Sequence, residues 1–221
     1  MCIVHIVVCV YTATAAVHHR LACARTNVAR FGPRVFHRRD TPLRIKGLYL
    51  RVAIIPSMLY GLEMVALKRA DIRKLDTYFL TLARHLLMVY RPNHLSYAEA
   101  EARLQCKRPS KYLRQQRWRW LGHVLRSTNP IHEEVFTYHP AATRPVGRPR
   151  WRWSDLLRQD WKSIGRKVQQ DQRLRPRPRA PIPLAAQDAL WKQLRAMAMD
   201  RDKWSADFVE TALNQDIGVS L

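Results

Sequence analysis

Between Ile72 and Val89 the apolar residues Ile72, Leu75, Phe79, Leu82, Leu86 and Val89 alternate at spacings of three and four. That repeat lines up side chains on one face of an α-helix, whereas on a strand it would scatter them over both faces. Arg73, Lys74, Asp76 and Thr77 fall off the stripe, so the pattern predicts an amphipathic helix over about 68–89 whose apolar face is core. Such a face must be covered by other elements, and after the first seventeen residues the chain carries almost no period-two alternation from which a sheet could be built. The expectation is an all-α fold: short helical bundles joined by Pro/Arg-rich linkers, behind a poorly ordered N-terminal lead-in.

The flanking segments follow the same logic. Leu48, Val52, Ile55 and Leu59, spaced 4, 3 and 4, predict a helix from about Leu43 that Pro56 kinks or restarts. Arg91-Pro92-Asn93 stops the long helix, and Ser96 with Glu99 three residues later has the spacing of a capping box for a short helix to about Leu104. Pro109-Ser110 opens a central helix. Beyond it come a short helix over 131–138, a Pro-rich linker, and a helix carrying Trp153, Leu157, Trp161 and Ile164 that Gly165 ends. The Pro/Arg spacer from Arg173 to Leu184 cannot be helical, and a helical pair over about 185–213 finishes the chain. Met1 to Val17 is apolar but too short to span a bilayer. It has no Lys or Arg ahead of the apolar run, as a signal peptide would, although Ala13-Thr14-Ala15 has the form of a cleavage site. Arg20 to Thr41 holds six arginines without periodicity and reads as a loop. The divisions are then a lead-in over 1–42, a helical domain over 43–138, a basic segment with its helix over 139–165, a linker over 166–184 and C-terminal helices over 185–221.

Charge narrows the partner. With 39 basic against 17 acidic residues, the formal net charge is +22, beyond what solubility needs, and it points to a polyanion, nucleic acid ahead of a membrane. The charge is localised: from Lys107 to Arg179 there are 19 Lys and Arg against 5 Asp and Glu, a net of +14, while residues 180–221 hold 4 against 6, a net of −2. Within that patch the central helix interleaves Arg114, Arg117, Arg119 and Arg126 with Trp118 and Trp120. At about 100° per residue Leu113, Trp118, Trp120, Leu121, Val124 and Leu125 share one broad arc, with Arg119, His123 and Arg126 opposite, while Arg114 and Arg117 project into the arc. A guanidinium there must reach the rim or meet an anion. The two tryptophans lie about 160° apart. Trp120, on the side of Leu113 and Val124, is expected in the core; Trp118, beside Arg114 and Lys111, is expected at the edge, free to stack on a base. The plainer reading puts both tryptophans in the core with the arginines as a solvated flank.

Three stretches then carry a resemblance: YGLEMVALKRADIRKLDTYFL from Tyr60, RWLGHVLR from Arg119, and GRPRWRW from Gly147. In that order and spacing they are similar to the segment downstream of the catalytic core in non-LTR (LINE-type) retrotransposon endonuclease-reverse transcriptases, and Asp200-Arg201-Asp202-Lys203-Trp204 resembles that family's closing helix. The likeness covers about Leu43 to Asp207. It departs where a tryptophan is usual at Val65 and a glycine at Met88, and residues 1–42 match nothing in the family. The resemblance implies a region near the thumb, which grips the template-primer duplex. Polymerase chemistry needs clustered carboxylates for two metal ions, and the chain has no Asp-Asp pair. Its adjacent Glu133 and Glu134 read as a solvated helix face, its glycines form no phosphate loop, and its four cysteines have no metal-ligand spacing.

The expectation is therefore a non-catalytic remnant of such a reverse transcriptase that binds nucleic acid with little sequence preference and needs no cofactor or metal. RNA or DNA is the partner, a separate polymerase core is the protein partner this reading allows, and nucleus or cytoplasm is the place. Contacts are expected from Arg114, Arg117, Trp118, Arg119 and Arg126, from Arg144, Arg148, Arg150 and Arg152 around Gly147-Arg148-Pro149, and from Lys162 and Arg166 beyond it. Gly-Arg-Pro is also the centre of minor-groove hooks, although Val146 stands where a hook has a basic residue, so groove reading and plain phosphate contact both remain open. A cationic secreted or membrane-surface protein, and a decayed element without activity, are the alternative classes.

Overall fold

The helix expected from the 3–4 stripe runs Arg69–Leu87 in a computed structural model that describes residues 12–90, 92–129 and 184–214, together with Trp153, Leu156, Leu157 and Asp160. Among these residues all regular structure is helical and there is no strand. The chain divides into two units, Met1–Leu113 and Arg114–Leu221. In the first, α1 (Ala13–Phe31), α2 (Leu43–Tyr49), α3 (Ile55–Leu59), α4 (Arg69–Leu87) and α5 (Tyr97–Leu104) enclose one core, to which the start of α6 (Pro109–Arg126) adds Leu113. The second is built from the rest of α6, α7 (Leu184–Met199), α8 (Arg201–Trp204) and α9 (Thr211–Asn214).

The loop expected over 20–41 is a correction. The chain is helical from Ala13 to Phe36, α1 passing into a π turn at Gly32–Phe36. Val17, Leu21 and Ala24 form a buried stripe with Val28 packed beside it. Alanine contributes too little apolar surface for that stripe to stand out between arginines, and the Thr12 hydroxyl caps the start by accepting from the Ala15 N–H at 3.3 Å. The stripe on α2 and α3 is corrected as well. Pro56 offers no N–H to the Val52 carbonyl and its ring would crowd it, and the chain answers with a π turn over Leu50–Ile54. That extra residue rotates the register: Leu48 and Val52 stand 41% and 65% exposed, while Leu50, Ile54 and Met58 are buried beside Ile55 and Leu59. Gly47 sets how close α2 comes to α5, because a Cβ there would overlap the Leu104 carbonyl oxygen.

The capping residues act as their spacing suggested. The Ser96 hydroxyl accepts from the Glu99 N–H at 3.1 Å, while the Glu99 carboxylate turns to Arg103. α4 ends at Met88, whose φ of 56° and ψ of 33° are left-handed and let the Met88 and Val89 N–H groups bond the last carbonyls. Cys23 and Cys106 are free thiols. Burial pushes the Cys106 thiol up to about 12, which keeps it protonated and inert.

Asp76 lies off the apolar stripe yet is buried, because its Oδ1 accepts from the Ser110 N–H at 2.9 Å and so caps α6 from another helix. Glu101 completes that cap, one oxygen accepting from the Arg108 N–H at 3.2 Å and the other pairing with the buried Lys111 ammonium at 2.8 Å. Two carboxylates thus meet the positive end of the α6 dipole. Burial raises the Asp76 pKa, outweighing the Ser110 hydrogen bonds and the Arg108 charge that lower it.

Two outcomes follow. Met88→Gly should stabilise the protein by about 0.5–1 kcal/mol in denaturant unfolding, since the exposed Met88 side chain loses little and glycine adopts φ > 0 without strain. A raised folded-state pKa means that Asp76 disfavours folding above that pKa and that this penalty disappears as pH falls to the unfolded value. Asp76→Asn, which keeps an acceptor for Ser110, should therefore match or exceed the native protein's stability at neutral pH. The difference should close on acidification, whereas Asp76→Ala costs about 1–2 kcal/mol at neutral pH. Chemical denaturation across a pH series reads all three.

Candidate nucleic-acid interface on the central helix

α6 buries Leu113, Arg114, Arg117, Trp118, Leu121, Gly122, Val124 and Leu125 and leaves Arg119 and His123 exposed. The centre of the buried face is Trp118, Leu121, Leu125 and Arg114, not the side shared by Leu113, Trp120 and Val124. The expectation for the tryptophans is reversed. Trp118 is 1% exposed, stacked on Phe208 at 5.3 Å between ring centroids and tilted against Trp204 at 5.9 Å. Trp120 is half-buried, edge-on to Trp153 at 5.4 Å. Trp118 therefore has no face for an incoming base.

The reason lies in two arginines. Arg114 and Arg117, one helical turn apart, are buried with Trp118 because Asp160 takes both: Arg117 Nη2 lies 3.3 Å from Oδ2 and Arg114 Nε 3.7 Å from Oδ1. Arg114 Nη1 also donates to the Ala212 carbonyl at 3.3 Å, where the negative end of α9 helps to offset the second positive charge. Burial raises the Asp160 pKa while Arg117 and Arg114, in that order, lower it. These guanidiniums hold the core of the second unit and do not face solvent, contrary to the surface role expected of them.

The partner surface comes from the last helices. Asp200 caps α8 by accepting from the Lys203 N–H at 3.0 Å, the helix continues through a π turn at Ser205–Glu210 into α9, and Trp204, Phe208, Val209 and Ala212 face α6. Trp204 Nε1 donates to the Trp118 carbonyl at 3.1 Å. The approach needs Gly122, since a Cβ there would collide with the same indole nitrogen. The joint role of Gly122 and Trp204 is a contact between distant positions, and no spacing in the sequence signals it.

Of the arginines and tryptophans expected to make contacts from α6, the one that stays fully outward is Arg119, directly beside the buried Trp118. Arg126 is half-buried and donates to the Ala198 carbonyl near the end of α7 at 3.0 Å, a bond that serves the fold first. Arg144, Arg148, Arg150, Arg152, Lys162 and Arg166 lie outside the described residues, as do the Gly147-Arg148-Pro149 core and the Pro/Arg spacer up to Pro183.

The carboxylates sharpen the electrostatics. Asp71, Asp76, Glu101 and Asp160 are all buried. Each is engaged with a donor or cation of the protein itself, Asp71 accepting from the Thr14 hydroxyl at 2.9 Å and from Lys74 at 3.2 Å. Four cations, Lys46, Lys111, Arg114 and Arg117, are buried as well, so burial removes both signs alike and the exterior keeps the cationic excess that the composition sets.

Trp118→Ala should cost about 3–5 kcal/mol and Asp160→Ala a similar amount, because it strands two guanidiniums without their carboxylate. Arg119→Gln should stay within about 0.5 kcal/mol of the native protein. Thermal or urea unfolding of the three variants reads the division between core and surface. Three comparisons, with protein-family models, curated proteins and solved structures, return no match to the chain.

Proposed function

We propose that the chain is a non-catalytic thumb-and-tail region of a non-LTR retrotransposon reverse transcriptase and that it binds RNA or DNA through its phosphates, with little regard to sequence. The observation that carries the binding reading is the excess of exposed bases: among the described residues, exposed arginines and lysines, Arg119 among them, outnumber the exposed acids Asp40, Glu99, Asp200, Asp202 and Glu210. A surface of that kind gains affinity by releasing condensed counterions from a nucleic-acid backbone. Two points favour the family: the order of the three sequence stretches, and the left-handed Met88 at the place where the family has glycine.

With Trp118 in the core, base stacking on α6 drops out of the mechanism. Arg119 is its phosphate contact from the described residues, and Arg144, Arg148, Arg150, Arg152, Lys162 and Arg166 are the further candidates, with Arg114, Arg117 and Arg126 acting through the fold. Contacts of this type position a nucleic acid without reading it, which suits a region that holds template and primer while a polymerase core supplies the chemistry.

Binding of the full chain to a short duplex should weaken steeply with salt, log K against log[salt] sloping by about −4 to −8 for five to nine phosphates. Replacing Arg119, Arg148, Arg150 and Arg152 together with glutamine should make that slope shallower by about 3 to 4 without lowering the unfolding temperature. A flat salt dependence in the native protein sinks the proposal. Given Mg²⁺, primed template and dNTPs, the chain alone should extend nothing; template-dependent extension above a mock preparation would overturn the non-catalytic reading.

A further inference from the structure

The first acidic residue of the chain is Asp40, and the helical segment before it presents basic groups on its outer side. Val17, Leu21, Ala24, Val35 and Phe36 are buried, whereas His18, His19, Arg25, Arg30, Arg34, His37, Arg38 and Arg39 are exposed. Arg20 and Arg25 are already engaged, their guanidiniums 4.8 and 5.8 Å from the rings of Tyr60 and Tyr78. Arg30, Arg34 and Arg38 are not: they recur every fourth residue, all three are exposed, and among the described residues none is in an ion pair. Arg30 lies in the last turn of α1, Arg34 in the π turn and Arg38 in the irregular residues that follow it. One cation near the end of α1 would satisfy its dipole; four arginines within Arg30–Arg39 exceed that need.

We propose that this flank, the last turns of α1 with the π turn and the residues to Arg39, is a second polyanion surface that seats the phosphate backbone of duplex nucleic acid. It is made by residues other than Arg119 and the Arg144–Arg152 candidates, and it rests on the nucleic-acid reading above. The exposed positions of α1 are His18, His19, Ala22, Arg25, Thr26, Ala29 and Arg30, after the capping Thr12, with no large apolar group to insert into lipid. The apolar face of α1 is already in the protein core, which disfavours a membrane surface. Among its exposed residues the same flank has no Phe, Tyr or Trp on which an unpaired base could stack, which favours backbone contact over single-strand recognition.

The test uses the full chain and a labelled duplex of mixed sequence over a salt series. Arg30→Gln/Arg34→Gln/Arg38→Gln should keep the native circular dichroism and unfolding temperature, make the salt slope shallower by about 2 to 3, and weaken all sequences alike. The matching Arg→Lys triple variant should restore the slope, because it restores the charge. Native binding with an unchanged slope in the glutamine variant overturns this inference alone, and so does a slope that lysine does not restore. No binding by the native chain overturns the nucleic-acid reading and this surface with it. Loss confined to certain sequences overturns backbone contact in favour of base reading. Capture by phosphatidylserine vesicles, lost in the glutamine variant while duplex binding persists in it, assigns the flank to lipid and overturns the proposal.

Discussion

Carboxylates are scarce in this chain, and the fold depends on where it puts them. With 17 acidic residues against 39 basic ones, helix ends and buried cations compete for few anions, and Asp71, Asp76, Glu101 and Asp160 are used inside. Asp71 ties α1 to α4 through Thr14. Asp76 and Glu101 cap α6 from α4 and α5, so that an arginine can stand at position 108, where a side-chain acceptor would otherwise be needed. Asp160 holds Arg114 and Arg117. Burying a carboxylate is unfavourable unless it is hydrogen-bonded or paired; Asp71, Asp76 and Glu101 accept hydrogen bonds, and Asp160 is ion-paired with two guanidiniums. A single placement therefore does two things: it anchors the helices and neutralises cations buried with them, Lys111, Arg114 and Arg117.

That placement also decides how α6 is shared between folding and function. Two arginines that look like phosphate ligands are drawn inward by one aspartate, and Trp118 goes with them to meet Trp204 and Phe208. The backbone contributes directly, since the Trp118 carbonyl accepts from the Trp204 indole across the space that Gly122 leaves open. Arg119, one residue along, is turned outward by the 100° step of the helix. On the proposed reading, any nucleic-acid contact through α6 is electrostatic, and the exposed arginines of α1 and its π turn give the first unit a cationic flank of its own.

What the sequence determined by itself is what local physics decides. A 3–4 stripe of large apolar residues specifies α4 nearly to its ends, Ser96 and Pro109 mark helix starts through hydrogen bonds and dihedrals that lie within a few residues, and the excess of arginine states the sign of the surface. The tertiary structure decided the rest, because it depends on groups far apart in the chain. The stripe on α1 is carried by small residues and became core only against α3 and α4. The register of α2 and α3 turned on how the helix accommodates Pro56, which periodicity does not show. The exchange of Trp118 and Trp120 turned on Asp160, more than thirty residues away, whose two ion pairs made it favourable to bury arginines that an isolated helix would have left in water.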